Sequence, residues 1–194
     1  TELAKEDDIK TVDDLLDPRW KGKIVASDVT QGYVYTPAVL IREQKGEDWL
    51  RRFFIDQEPQ IIRDRRLAAE ALVRGRAPIG FGIHPIVLRD IQTQLKVDHV
   101  KVLDVLAFGG GDIVSLFNKA PHPNAAKVFI NWLLSKAGQT AWSTNTRVNS
   151  ARADVPVVDK DNTPGKRKYE NPTSEEWAPK TKATQEFLMK LMQR

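Results

Sequence analysis

The sequence predicts an α/β fold in which a mostly parallel sheet is flanked by helices. Short apolar runs typical of buried strands alternate with helical patterns, and Gly and Pro residues mark the boundaries between them. No long unstructured gap interrupts this alternation between residues 13 and 105. A chain of 194 residues, 41% of them hydrophobic, is large enough for one domain or two small lobes.

The first strand and the first two helices are expected between residues 11 and 58. Residues 24–26 form an apolar run that follows a turn and predicts a buried strand. A helix is expected from Pro37, since proline suits the first helical position, to Gly46, which ends it. A second helix begins at Glu47 and is expected to bury four large side chains: Trp49, Leu50, Phe53 and Phe54.

Two further strand–helix pairs follow. Residues 59–62 predict a strand, and Asp64 can cap a helix that ends before Gly75. Residues 78–83 predict a strand whose glycines suggest a close backbone approach, and a helix starts near Pro85. Residues 100–103 predict one more strand. The inward residues expected on the two helices are Leu67, Ala68, Ala71 and Leu72, then Ile86, Leu88, Ile91 and Leu95.

The character of the sequence changes after Val105. Residues 108–112 are glycine-rich and form a candidate hinge, and residues 113–117 predict a strand. Pro123 opens a strongly amphipathic helix that is expected to reach Gly138. Residues 154–172 predict a surface connection, and a last helix is expected where Thr173 and Glu176 have capping-box spacing.

Composition excludes several classes of function. The 30 basic and 26 acidic residues give a net charge of +4 without a basic stripe, which argues against nucleic acid as a partner. The absence of cysteine excludes disulfides, thiolate metal sites and cysteine nucleophiles. No apolar run approaches the length of a membrane-spanning helix, so we expect no membrane insertion.

Three loops that follow predicted strands are the candidate ligand sites. In an open α/β sheet the binding crevice lies at the carboxyl ends of the strands, where helix N-termini favour anionic groups. The loops span residues 28–33, 63–65 and 82–85. Their candidate ligand-binding residues are Thr30, Gln31, Gly32, Tyr33, Arg63, Arg65 and His84. We expect Gln31, Tyr33, Arg65 and His84 to converge.

Each candidate also has a purely structural interpretation. Asp28 and Asp64 can cap helices without touching a ligand. Arg65 can bind a carboxylate or phosphate, or it can form a surface ion pair with Asp64 or Glu70. The three histidines lack the close spacing of a zinc site, so no metal site is expected. No cofactor is expected either.

Three sequence stretches carry a family resemblance. DLLDPRWKGKI (13–24), RDRRLAAEALVRGRAPIGFG (63–82) and NKAPHPNAAKVFINWLLSKAGQTAW (118–142) occur in this order. Together they resemble bacterial extracellular solute-binding proteins of ABC importers, in the type 2 periplasmic-binding group that includes ferric-iron and thiamine binders. The resemblance extends from about Asp13 to Pro156.

The resemblance implies two α/β lobes with solute in the cleft between them and a membrane permease as partner. Residues 13–105 would form most of the second lobe, residues 106–148 would belong to the first, and residues 149–194 would return to the second. A signal peptide and first-lobe strands would precede Thr1, so the sequence is expected to be a C-terminal part. The first-lobe segment would then be exposed and able to self-associate. The location would be periplasmic, or extracellular and membrane-tethered.

Three alternatives remain open at this stage. Ferric binders of this group commonly use adjacent tyrosines after the strand that corresponds to residues 78–83, but this sequence has Gly82-Ile83-His84-Pro85 there. We therefore favour a small organic or oxyanionic solute over iron. A protein-interaction module and an uncharacterised enzyme are the alternatives from other classes. No GxSxG, HExxH or P-loop motif is present, and no catalytic residue is predicted.

Overall fold

The chain forms two compact units. The computed structural model describes residues 4–5, 8–30, 32–103, 105–106, 114–160, 170–172 and 174–193. Unit 1 comprises Thr1–Gly110 together with Glu170–Arg194, and unit 2 comprises Gly111–Tyr169. In its described part, unit 1 contains a sheet and helices, whereas unit 2 contains helices and irregular segments.

The sheet of unit 1 is parallel, as the sequence predicts, and in the described part of the chain it has three strands. They are β1 (Ile24–Ser27), β2 (Gln60–Ile62) and β3 (Ile79–Phe81), in the spatial order β2-β1-β3. The register places Val25 of β1 beside Gln60 on one side and Gly80 on the other. All four residues of β1 are buried because the central strand of a parallel sheet is covered on both faces.

Helices connect the strands and cover the sheet. Unit 1 contains α1 (Gly32–Lys45), α2 (Glu47–Arg51) with a π-helical turn (Arg52–Asp56), α3 (Arg65–Val73), α4 (Pro85–Leu95) and α7 (Ala178–Met192). Unit 2 contains α5 (Pro123–Leu134) and α6 (Lys136–Thr146). Short 3-10 turns lie at Val12–Leu16, Pro18–Trp20 and Glu175–Trp177.

The two faces of β1 belong to different cores. Ile24 and Ala26 pack in a cluster with side chains of α1, α2 and α7, whereas Val25 packs with α3 and α4. Alternate residues of a strand point to opposite faces, so the sheet is the middle layer of three. The predicted burial of Trp49, Leu50, Phe53 and Phe54 is confirmed. Phe53 also contacts Phe81 of β3, with ring centroids 4.6 Å apart.

Several predictions for unit 1 need correction. Helix α1 begins at Gly32 rather than Pro37, because Val34 and Tyr35 pack into the core and extend the helix upstream of the proline. Leu67 is 57% exposed and Leu95 is also exposed, since they lie on the solvent faces of α3 and α4. Residues 100–103 form no strand. They line a cavity along β3 rather than pairing with it.

Unit 2 differs from its prediction in two places. The helix expected to reach Gly138 ends at Leu134, because Ser135 adopts an extended conformation and its hydroxyl accepts a hydrogen bond from the N–H of Gly138, which starts α6. Residues 114–117 form no strand, and Ile113 lies outside the described residues. The helices leave much of their apolar surface exposed, including Val128 and Phe129 at 70% and 56%.

Helix α7 returns to the core of unit 1. It starts at Ala178 after a 3-10 turn, and Thr173 of the expected capping box lies outside the described residues. Leu188 and Leu191 are buried in the same cluster as β1 and α2. The ammonium group of Lys180 lies 2.7 Å from a carboxylate oxygen of Glu43, which adds a surface ion pair between α7 and α1.

Candidate functional site

The carboxyl edge of the unit 1 sheet brings three strand ends together. Because β1, β2 and β3 are parallel, their C-terminal ends lie at one edge, and short loops lead from them into α1, α3 and α4. The first turns of these helices carry backbone N–H groups that have no partner within the helix, together with the positive ends of the helix dipoles. This edge therefore favours a ligand with negative charge.

Hydrogen bonds fix the loop after β1 to both neighbouring strands. The Ser27 hydroxyl donates to the carbonyl of Gly82 over 2.6 Å, and the N–H of Asp28 donates to the carbonyl of Ile62 over 3.2 Å. Within the loop, the carboxylate of Asp28 accepts from the hydroxyl and the N–H of Thr30. These bonds lower the pKa of Asp28, with a smaller contribution from the positive charge of Arg63. Asp28 thus holds its own loop instead of capping α1.

Tyr33 and His84 meet at this edge. Their ring centroids are 4.7 Å apart with a tilt of 46°. Tyr33 lies in the first turn of α1, and His84 precedes Pro85, the first residue of α4. Gly82 permits this approach, since its φ is +66° and a Cβ there would lie 3.0 Å from a methyl carbon of Val34.

The arginines after β2 line an open cavity. Its volume is about 600 Å³, and it is lined by Arg63, Asp64, Arg65, Arg66 and Val87. Asp64 caps α3, as predicted, by accepting a hydrogen bond of 2.9 Å from the N–H of Leu67. Val87 lies in the first turn of α4, so the cavity is bounded by the N-terminal ends of two helices.

A second cavity lies along the outer edge of β3. Its volume is about 530 Å³, and its lining is mostly apolar. Tyr33, Gly82 and Ile83 border it on the side of the candidate site, and residues 100–103 line it as well. Among the described residues β3 pairs only with β1, so this cavity runs beside an unpaired strand edge.

The predicted site residues fall into two groups. Tyr33 and His84 contact each other, whereas Arg63 and Arg65 line the open cavity. Thr30 is engaged with Asp28, Gly32 starts α1, and Gln31 lies outside the described residues. Sequence reasoning missed two cavity residues, Arg66 and Val87. Arg66 lies in the first turn of α3 and Val87 in the first turn of α4. The helix starts predicted at Asp64 and Pro85 could have identified both, because residues of a first helical turn lie at the carboxyl edge of the sheet.

The tyrosines of α1 have different surroundings. Tyr35 is buried in the core, whereas Tyr33 lies at the carboxyl edge. Residues two positions apart on a helix do not face each other, so these phenols do not form a pair. Burial raises the pKa of both tyrosines, which opposes formation of phenolates. In the described part of the chain, no three His, Asp or Glu side chains cluster in a way that could hold a metal ion.

The absence of a membrane-spanning helix in the described residues and a match to one protein family complete the description of the chain. None of the helices in the described part of the chain combines the length and the apolar character that a membrane span requires. Individual curated proteins give no significant match. The family model described as bacterial extracellular solute-binding protein matches residues 1–164, which is most of the chain. This protein therefore belongs to the bacterial extracellular solute-binding proteins, a family that binds solutes for transport in the periplasm or outside the cell.

Proposed function

We propose that this protein is the solute-binding receptor of an ABC importer. It captures a small organic or oxyanionic solute at the carboxyl edge of the unit 1 sheet and delivers it to the membrane permease. The observation that carries the proposal is the meeting of three strand ends at this edge, where Tyr33 and His84 contact each other and the arginines after β2 line an open cavity. Family membership supports the transport role.

The proposal includes the lobe organisation of the type 2 periplasmic-binding group. Residues 13–105 and the C-terminal helix belong to one lobe, and residues 106–148 belong to the other. A parallel sheet between two layers of helices supports the first assignment. The receptor binds its solute without transforming it, so a steady-state turnover assay with the solute is expected to yield no product.

The solute class follows from the tyrosines and the arginines. Ferric binders of the type 2 group commonly use phenolate ligands from adjacent tyrosines, whereas here Tyr35 is buried in the core and burial raises the pKa of Tyr33. The positive side chains at the edge favour an anionic group instead. Ferric titration of the protein should therefore give no tyrosinate charge-transfer band. A visible band with stoichiometric iron would overturn the preference for an organic or oxyanionic solute.

Native mass spectrometry of the whole natural protein tests the receptor role. The intact protein, purified without denaturation, should carry an additional small-molecule mass that disappears after denaturation. The His84→Ala variant should retain less of it, because this variant removes one ring of the Tyr33 contact. His122→Ala is the matched control, since His122 is an exposed residue before α5 in unit 2. Equal solute content in both variants would contradict the proposed site.

We extend the proposal to association of the chain with itself. Unit 2 exposes Val128, Phe129 and Trp132 on α5, together with Phe117 at 83%. Exposed apolar patches of this kind are association sites. Analytical ultracentrifugation of the chain should show mass rising with concentration, and Phe129→Ala should weaken that rise. A monomer at all concentrations would contradict association through this face.

A further inference from the structure

We infer that the solute carries an oxyanionic group, a carboxylate or a phosphoryl group, and that Arg63 and Arg65 bind this group in the open cavity between the starts of α3 and α4. This inference rests on the proposed function and names the chemical class of solute that the site takes. The inference rests on two arginine side chains that line the cavity without a protein partner among the described residues, and not on the helix ends alone.

Arg65 forms an ion pair with neither Asp64 nor Glu70, the two acids that the sequence suggests as its possible partners. The carboxylate of Asp64 caps α3 through the N–H of Leu67. The carboxylate of Glu70 lies 3.2 Å from Nε of Arg66 and 3.7 Å from Nε of Arg74. Both acids that could neutralise Arg65 are therefore engaged elsewhere.

The other two arginines of the cavity differ from each other. Arg66 is held by Glu70 and also donates a hydrogen bond of 2.8 Å to the side-chain carbonyl of Gln94. The side chains of Arg63 and Arg65 are exposed, and in the described part of the chain they form no hydrogen bond or ion pair. The positive charge of Arg63 contributes to the lowered pKa of Asp28, but the carboxylate of Asp28 accepts its hydrogen bonds from Thr30.

Two uncommitted guanidinium groups therefore line a cavity of about 600 Å³ whose walls include the first turns of α3 and α4. A guanidinium group presents a planar fork of donors that matches two oxygens of a carboxylate or phosphoryl group. The dipoles of the two helices add positive potential at the same place. Asp64 is the acid in the cavity lining, and its capping bond to Leu67 keeps one of its oxygens in use.

Isothermal titration with orthophosphate and with succinate tests the inference. At least one of the two anions should bind saturably to the whole natural protein at low ionic strength. Arg65→Ala should raise its dissociation constant about tenfold or more, and Arg63→Ala should raise it as well. Arg65→Lys, which keeps the charge but loses the fork, should give an intermediate value. The stronger of the two anions identifies the group as phosphoryl or carboxylate.

Arg76→Ala is the matched control. Arg76 is an exposed arginine between α3 and β3, at the opposite edge of the sheet, and its removal should leave anion affinity unchanged. Saturable binding of neither anion, or equal losses in the Arg65→Ala and Arg76→Ala variants, would overturn the inference. The inference about the anionic group can fail while the proposed receptor function holds. If Arg65→Ala keeps the retained solute while His84→Ala loses it, the receptor stands and only the anionic class is wrong.

Discussion

Units 1 and 2 both contain an amphipathic helix, but the apolar face is buried in unit 1 and exposed in unit 2. In unit 1, α4 buries Leu88 and Ile91 against α3 and the sheet. In unit 2, α5 carries more large apolar side chains, yet none of its residues is buried. Among the described hydrophobic residues of unit 2, Val155 is the only buried one. An amphipathic helix therefore predicts an apolar face, but a neighbouring layer decides whether that face becomes a core.

The largest difference between the units should appear when the same large side chain is removed from each. Phe53 is fully buried among Trp49, Phe54 and Phe81, so Phe53→Ala should lower the free energy of unfolding by about 3–5 kcal/mol. Phe129 is 56% exposed, so Phe129→Ala should change it by less than about 1 kcal/mol. Urea denaturation of both variants, at a concentration at which the chain is monomeric, measures the contrast. Equal losses would show that the face of α5 is covered in solution.

A smaller effect should separate two glycines of unit 1 that share a left-handed conformation. Gly82 has φ of +66° and Gly22 has φ of +71°, so alanine costs about 1–2 kcal/mol of backbone strain at either position. At Gly82 the new Cβ would also lie 3.1 Å from Cα of Val34, whereas at Gly22 nothing lies within 4 Å. Overpacking against the backbone of α1 should add about 1–3 kcal/mol for Gly82→Ala. Thermal denaturation that finds Gly22→Ala equally destabilised would contradict this account of the loop.

The smallest effect concerns one acid in each unit. Hydrogen bonds from Thr30 lower the pKa of Asp28 below 3.8, and the side-chain hydrogen bonds and charge of Arg152 lower the pKa of Asp154 in unit 2. Each carboxylate therefore stabilises the fold above about pH 4, and this contribution is lost as the pH falls through the folded-state pKa. In NMR titrations, Thr30→Val should move the pKa of Asp28 toward 3.8 and leave that of Asp154 unchanged. An unaltered Asp28 titration would exclude Thr30 as the cause.

Much of unit 1 could be predicted because its local signals and its packing agree. The strands at residues 24–26 and 79–81, the Asp64 cap and the α4 start at Pro85 all rest on local pattern and helix-end chemistry. The errors come from tertiary contacts that the sequence does not display. Packing of Val34 and Tyr35 starts α1 early, and residues 100–103 line a cavity along β3 instead of pairing with it.

The candidate site was predictable to the level of its loops, but the partners within them were not. Strand ends located Tyr33, Arg65 and His84, since each follows a predicted strand. Glu70 forms its ion pair with Arg66 and not with Arg65, because the partner depends on which face of α3 each arginine side chain occupies. The contact between Tyr33 and His84 depends on the strand order, which a sequence pattern does not specify.

Hydrogen–deuterium exchange of the whole natural protein, with its retained solute bound and after removal, tests the central claim most directly. Solute bound at the carboxyl edge should slow exchange of backbone amides in residues 28–34, 63–67 and 82–87, where the three helices begin. The amino ends of the strands serve as an internal control and should change little. Protection of all three segments on solute binding is the predicted result. Protection confined to unit 2, or unchanged exchange in all three segments with solute bound, would contradict the account.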